Sequence, residues 1–272
     1  MPMESSHIKL TKTNKLNVFD LDGTLLKNNC SFAFSVYLYK KGIFSFFDQI
    51  YCINLKHRTD RWENCLRQFS RLGVSDRVIR KEGLMCAHPK LSQKQNAQIG
   101  CALSHYSILK EAQEKKYSNI LVFEDDFLFF DNYNTLSDKI NKSTKELPEN
   151  WDLFYLGGFF VKGYSYEPVE PYSENLIRAN TCFCAHSLAY SRNAINKILN
   201  NLKLESEKDV LNFSSEYEAI DWYYVREIQN NSQSFACSNL LCVQKEGYSD
   251  IEKRYFDYKE KFKSSYSQYV KK

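Results

Sequence analysis

Several familiar signals are missing from these 272 residues. The nine cysteines form no Cys-x-x-Cys pair and the five histidines no zinc-finger spacing, which excludes a zinc ribbon or a thioredoxin-type redox motif. The greasiest stretch, SFAFSVYLYKKGIFSFF at 31–47, is broken by Lys40 and Lys41. It falls well short of the roughly 18 apolar residues of a membrane span. The opening MPMESSHIKLTKTNK has no apolar core of signal-peptide type, so neither secretion nor a span is expected. Charge of one sign is also lacking. Lys and Arg total 37 against 33 Asp and Glu, and a net +4 is too mild to argue for a nucleic-acid partner. An odd set of cysteines without framework spacing reads as buried thiols in a reducing, cytoplasmic setting.

What is present suits one large α/β domain. The chain is long enough to bury a substantial core. Aromatics make up 15%, with 19 Tyr and 19 Phe, which reads as a core built from rings or as surfaces for sugars or a membrane interface. Strand-like apolar runs fall at 16–19, 50–55, 120–123, 153–156, 187–190 and 240–243. Helical spacing lies between them. Trp62, Cys65, Leu66, Phe69 and Leu72 share one face, with Asp60 placed to cap the start and Gly73 the end. A second helix is predicted over about 92–116, with Ala102, Tyr106, Leu109 and Ala112 on one stripe. A third starts at Ser191 and carries Ile195, Ile198, Leu199 and Leu202. Strands alternating with helices predict a largely parallel sheet covered on both faces, with ligands beyond the carboxyl ends of the strands. The stretch 157–180, with Pro168 and Pro171, is long for a connection and reads as a lid, an acceptor loop or a floppy insertion.

Two acidic clusters sit at strand ends. The first, FDLDGTLL at 19–26, resembles the opening motif of the haloacid dehalogenase phosphatases. That resemblance makes Asp20 the phosphoryl-accepting nucleophile and Asp22 the acid and base, with magnesium between them. The rest of such a site does not follow. Glu124 stands where a glycine usually precedes the late acidic pair, here Asp125 and Asp126, and no lysine sits in the required setting. Residues 16–47 therefore read as a phosphatase-like fragment, or as a turn after an edge strand.

The second cluster, ILVFEDD at 120–126, belongs to a longer series. IYCINLKHRTDRWE, IGCALSHYSILKEA, ILVFEDD, WDLFYLGG, SLAYSRNAINKIL, AIDWYY and VQKEGYSDI occur in that order over about 200 residues. Together they resemble glycosyltransferase family 25, which includes bacterial lipooligosaccharide galactosyltransferases and procollagen galactosyltransferases. The resemblance implies a GT-A-like, Rossmann-type fold with a mixed, mostly parallel sheet. It implies transfer of a hexose, galactose first, from a UDP-sugar to a saccharide or glycolipid acceptor such as lipopolysaccharide, with Mn2+ or Mg2+ as cofactor.

Residue roles follow from that resemblance and from the chemistry of a departing diphosphate, which a divalent cation on hard carboxylates stabilises best. Glu124 and Asp126 fit the DxD-like pattern. Asp126 is the expected metal ligand, with Glu124 or Asp125 assisting through ribose or water. Asn54, Arg58 and Arg61, at a strand end and a helix start, are nucleotide-side candidates, or else solvated surface groups. His105 reads as a contact to donor or acceptor, or as a hydrogen-bonded core histidine. Asp221 matches an acidic family position and reads as the general base on the acceptor, or as a helix cap, with Trp222 and Tyr223 beside it for stacking. Gln244, Ser249 and Asp250 match the late motif and are expected to close over the diphosphate. Gln98 departs from the family's usual Glu, which leaves an inactive relative open as an alternative. The expected division is an appendage at 1–47, a transferase domain at 48–250 and a basic aromatic tail at 251–272. The tail reads as a solvated helix or as a peripheral contact at the cytoplasmic face of a membrane.

Overall fold

The computed structural model describes Gly42 and residues 44–130, 132–161, 170–249 and 254–269. The predicted strand at 16–19 and the Asp20 and Asp22 motif lie outside the described residues, as does Asp250. Residues from Lys40 onward form one compact unit.

The chain opens on β1 (Gln49–Asn54), α1 (Thr59–Leu72) and β2 (Val78–Glu82). Then come α2 (Gln93–Glu114), β3 (Asn119–Glu124), β4 (Phe127–Phe129), α3 (Tyr133–Glu146), β5 (Leu153–Tyr155) and β6 (Phe159–Phe160). Next are β7 (Leu176–Arg178), β8 (Cys182–Phe183), β9 (Ser187–Ser191), α4 (Arg192–Asn201), α5 (Glu207–Glu216) and α6 (Ile220–Tyr223). A π turn at Tyr224–Ile228 follows. The last elements are β10 (Phe235–Cys237), β11 (Cys242–Gln244), β12 (Gly247–Ser249), β13 (Arg254–Phe256) and α7 (Lys259–Tyr269).

Seven strands make the central sheet, in the order β2-β1-β3-β9-β5-β10-β7. The parallel pairs are β1 with β2, β1 with β3 and β5 with β10, while β9 and the edge strand β7 run against their neighbours. The sheet is thus mixed and mostly parallel in direction. Between their polar ends its central strands are apolar, because both faces are covered. Ile50, Cys52, Leu121 and Phe123 face one core with Cys65 and Phe69 of α1, whereas Tyr51, Ile120 and Val122 face the other with Ala102, Tyr106 and Leu109 of α2. The abundant rings serve mainly in these cores. Phe123 and Phe127 have centroids 4.6 Å apart, and Tyr51, Tyr155, Tyr190 and Tyr224 are fully buried.

Helix ends largely follow their sequence signals. Ser92 accepts from the Gln95 amide in a capping box, and Ser191 accepts from Ala194. Gly73 closes α1 with φ of 69°. The start of α1 differs from expectation. It begins at Thr59, and Asp60 lies inside the first turn, where its carboxylate takes two bonds from Arg58 instead of capping the backbone. The stretch 157–180 is not a single loop either, since β6 and β7 form within it and β7 extends the sheet. The tail helix α7 turns Phe262, Ser265 and Tyr266 inward, and the Ser265 hydroxyl bonds both to the amide and to the carbonyl of Phe160. No helix among the described residues is long and apolar enough to cross a membrane.

Candidate active site

Parallel β1 and β3 end side by side, so Asn54 and Glu124 arrive together at one edge of the sheet. Antiparallel β9 starts at that same edge, and the Glu124 amide donates to the His186 carbonyl just before it. The turn Asp125–Asp126 leads into β4. Pairing of β4 with β11 then lays the chain after Gln244 over the turn, where the Lys245 amide donates to the Asp126 carbonyl at 2.6 Å. A cleft opens here in two lobes. The larger, about 510 Å3, includes Gln98, Asp221, Trp222, Gln244, Lys245 and Tyr248 in its lining. The smaller, about 330 Å3, includes Asn54, Leu55, Gly83, Leu84 and Met85. Cys101, Glu124, Asp125, Asp126, Arg61 and Ser249 line both, so the acidic cluster forms the ridge between them.

The three carboxylates have different partners. Asp125 is anchored, accepting from Asn54 Nδ2 at 2.6 Å and from Arg61 at 2.6 Å. Asn54 also donates to the Arg58 carbonyl, and Arg61 reaches on to the Tyr248 carbonyl at 2.8 Å. Asp125, Asn54 and Arg61 therefore tie β1, β3, α1 and β12 together. Glu124 Oε1 lies 3.0 Å from His105 Nε2. Burial opposes its ionisation, but the bond and charge of His105 outweigh it, and the carboxyl is held below its usual value. Asp126 is the outlier. Its Oδ1 is buried with no hydrogen-bond partner, while Oδ2 has Gln244 Nε2 at 3.5 Å. Burial first, then the charges of Glu124 and Asp125, push its carboxyl up to about 7.

Across the larger lobe Asp221 opens α6. Its two carboxylate oxygens accept from the amides of Trp222 at 3.0 Å and Cys184 at 3.3 Å. Burial, with the Glu124 charge, raises its proton affinity against those bonds. Cys184 holds a left-handed φ of 75° where it donates to Asp221, a conformation that costs a non-glycine residue about 1–2 kcal/mol. Trp222 stacks edgewise on Phe183 at 4.9 Å and lies under Arg226.

The structure thus gathers Asn54, Arg61, Glu124, Asp125, Asp126, Asp221, Gln244 and Ser249 on one cleft. Arg58 lines the larger lobe, paired with Asp60. His105 has no exposed surface and lies behind Glu124, while its Nδ1 lies 3.0 Å from the Tyr190 hydroxyl. Sequence reasoning did not single out Lys94, Lys245, Glu218 or Leu84, which also line the lobes. Of these, only Lys245 had a signal, its place inside the late motif.

The profile described as glycosyltransferase family 25 (LPS biosynthesis protein) matches residues 47–271. The human protein named inactive glycosyltransferase 25 family member 3 is 28% identical over 154 residues, covering 44% of this chain and 26% of that protein. Procollagen galactosyltransferase 1-A of Xenopus laevis is 28% identical over 172 residues, covering 57% of this chain and 28% of that protein. The chain therefore spans about a quarter of the length of these two relatives. A solved glycosyltransferase involved in glycosylation of the major capsid of PBCV-1 covers 75% of the chain and 95% of its own, at 12% identity and a TM-score of 0.39. With the family profile matched across most of its length, the chain belongs to glycosyltransferase family 25.

Proposed function

We propose that the protein transfers a hexose, galactose in the first instance, from a UDP-sugar to a saccharide or glycolipid acceptor such as a lipopolysaccharide. The observation that carries this reading is Asp126, whose buried Oδ1 lacks a partner at the ridge between two lobes. An orphaned carboxylate oxygen among three acidic groups fits a hard divalent cation of the manganese or magnesium class. Asp126 would hold it, with Glu124 beside it. Such a cation, when bound, neutralises charge on the departing diphosphate.

The chain's own groups divide the remaining work. The smaller lobe offers Leu55, Leu84 and Met85 for the flat face of a base and Asn54 at its inner end. Arg61 and Lys245 place positive charge beside the ridge for phosphate oxygens. Asp221, whose raised proton affinity suits a base, faces the larger lobe and would take the proton from the acceptor hydroxyl. Trp222 presents a ring for sugar stacking. Gln98 lines that lobe in place of the family's usual Glu, and as an amide it can still bond a sugar hydroxyl without carrying charge.

Release of nucleotide from a panel of UDP-sugars, with and without manganese, tests the reading without knowledge of the acceptor. Wild type should release UDP from one donor only when the cation is present, and Asp126→Ala should abolish release. No release from any donor, with no cation-dependent nucleotide binding, would place this chain with relatives named inactive.

A further inference from the structure

Behind the carboxylate ridge sits a donor set of a different kind. Cys101 and His105 are four residues apart on α2, so their side chains stack on one helix face. That face meets the end of β3. Glu124 Oε1 lies 3.0 Å from His105 Nε2 and 3.6 Å from Cys101 Sγ, and the three donor atoms all lie within 4.8 Å of one another. We propose that Cys101, His105 and Glu124 form a binding site for a soft divalent cation of the zinc class, separate in chemistry from the carboxylate site at Asp126 and sharing Glu124 with it.

The spacing suits a tetrahedral ion. Bonds of about 2.3 Å to sulfur and about 2.0–2.2 Å to nitrogen and oxygen give tetrahedral edges of about 3.3–3.6 Å. The two edges at Glu124, 3.0 Å to nitrogen and 3.6 Å to sulfur, lie within about 0.3 Å of that range before any side chain moves, and the third is no longer than 4.8 Å. Cys101 and Glu124 line both lobes, so an ion reaches the site from the cleft and keeps a fourth position open towards it. The imidazole is also supported from behind. Ligation through Nε2 leaves the proton on Nδ1, which then donates to the Tyr190 hydroxyl at 3.0 Å. Tyr190 in turn donates to the Tyr224 hydroxyl at 2.9 Å. Such an outer partner fixes the tautomer of a metal-bound histidine. A thiolate and an imidazole favour zinc over manganese or magnesium, which prefer oxygen donors. An ion held there fixes Glu124 on the His105 side of the ridge.

Cobalt(II), a spectroscopic stand-in for zinc, tests the site on the full chain after chelator treatment. About one equivalent should produce tetrahedral d–d absorption together with a near-ultraviolet thiolate-to-cobalt band, and zinc should displace it. Cys101→Ser should lose the near-ultraviolet band and weaken binding about 100-fold, at or beyond the top of the 10- to 100-fold range typical of an outer-shell change. Asp126→Asn should keep the band. Zinc should also slow alkylation of Cys101 in wild type at least about tenfold, read by peptide mass, which requires no variant to fold. Absence of a thiolate band, its persistence in Cys101→Ser, or unchanged alkylation with zinc would overturn the assignment.

Discussion

Asp126 shows how a single residue can serve a site at the expense of the fold. An aspartate in an unfolded chain ionises near pH 4, at about 3.9. In the folded chain Asp126 keeps its proton up to about 7. Between those values the folded state binds more protons than the unfolded state, so this residue's contribution makes stability fall as pH rises through the window. Without a divalent cation, Asp126→Asn should therefore be more stable than wild type at pH 8, by about 1–4 kcal/mol. The advantage should disappear near pH 4, where both side chains are neutral. Urea unfolding at the two pH values measures it, and an equal difference at both would remove Asp126 as the cause. Added manganese should raise the melting temperature of wild type more at pH 8 than at pH 5, because binding must displace the proton at the lower pH. The acidic run itself was legible in the sequence, and so was its place after a strand. The division of labour within it was not. Asp125 is spent on Asn54 and Arg61, and Glu124 on His105, contacts between residues 71, 64 and 19 positions apart.

Elements were legible where one chemical signal dominated. The central strands β1, β3 and β9 are apolar on both faces between their ends, α1 and α4 carry a stripe with a closing glycine or a cap, and α2, buried around much of its middle, is marked by its capping box. The elements that escaped have weaker signatures. The edge strand β2 reads VIRKE and is largely exposed, so its pattern does not separate it from a surface loop. Strands β7 and β10 have three residues each and take their identity from neighbours in the sheet. The smaller lobe is built at such a place. Its floor is the irregular segment after β2, pressed against α2 where Gly100 has no side chain. A Cβ at Gly100 would stand 2.6 Å from the Leu84 carbonyl oxygen and 3.4 Å from Met85 Cα. Backbone cannot rotate aside as a side chain can, so helix and segment must part. Gly100→Ala should cost about 1–3 kcal/mol and weaken nucleotide binding, because Leu84 and Met85 move with the segment. A urea midpoint and a UDP titration read the two effects. Unchanged nucleotide affinity beside lost stability would show that the segment does not form the nucleotide floor.

At the scale of the whole molecule, the reversed strand β9 sets the geometry of the cleft. Because it runs antiparallel between β3 and β5, its start, not its end, lies beside the acidic turn, and the segment Cys184–His186 comes with it. Cys184 then meets Asp221, which brings the C-terminal half of the chain to a ridge built by the N-terminal half. The two lobes are consequently lined by different parts of the fold. Asp221 borders only the larger and Leu84 only the smaller, while the acidic cluster borders both. This separation predicts separable defects. Asp221→Asn should lower transfer by about 10²–10⁴, the usual worth of a positioned base, with UDP affinity in manganese changed by no more than about twofold. Leu84→Gln should do the reverse, raising KM for the donor several-fold with kcat nearly kept, since it removes apolar contact made equally in ground and transition states. Steady-state kinetics with a UDP titration distinguishes the outcomes. If both variants instead lowered donor affinity alike, donor and acceptor would share one lobe, and Asp221 would belong to nucleotide binding, not to the acceptor.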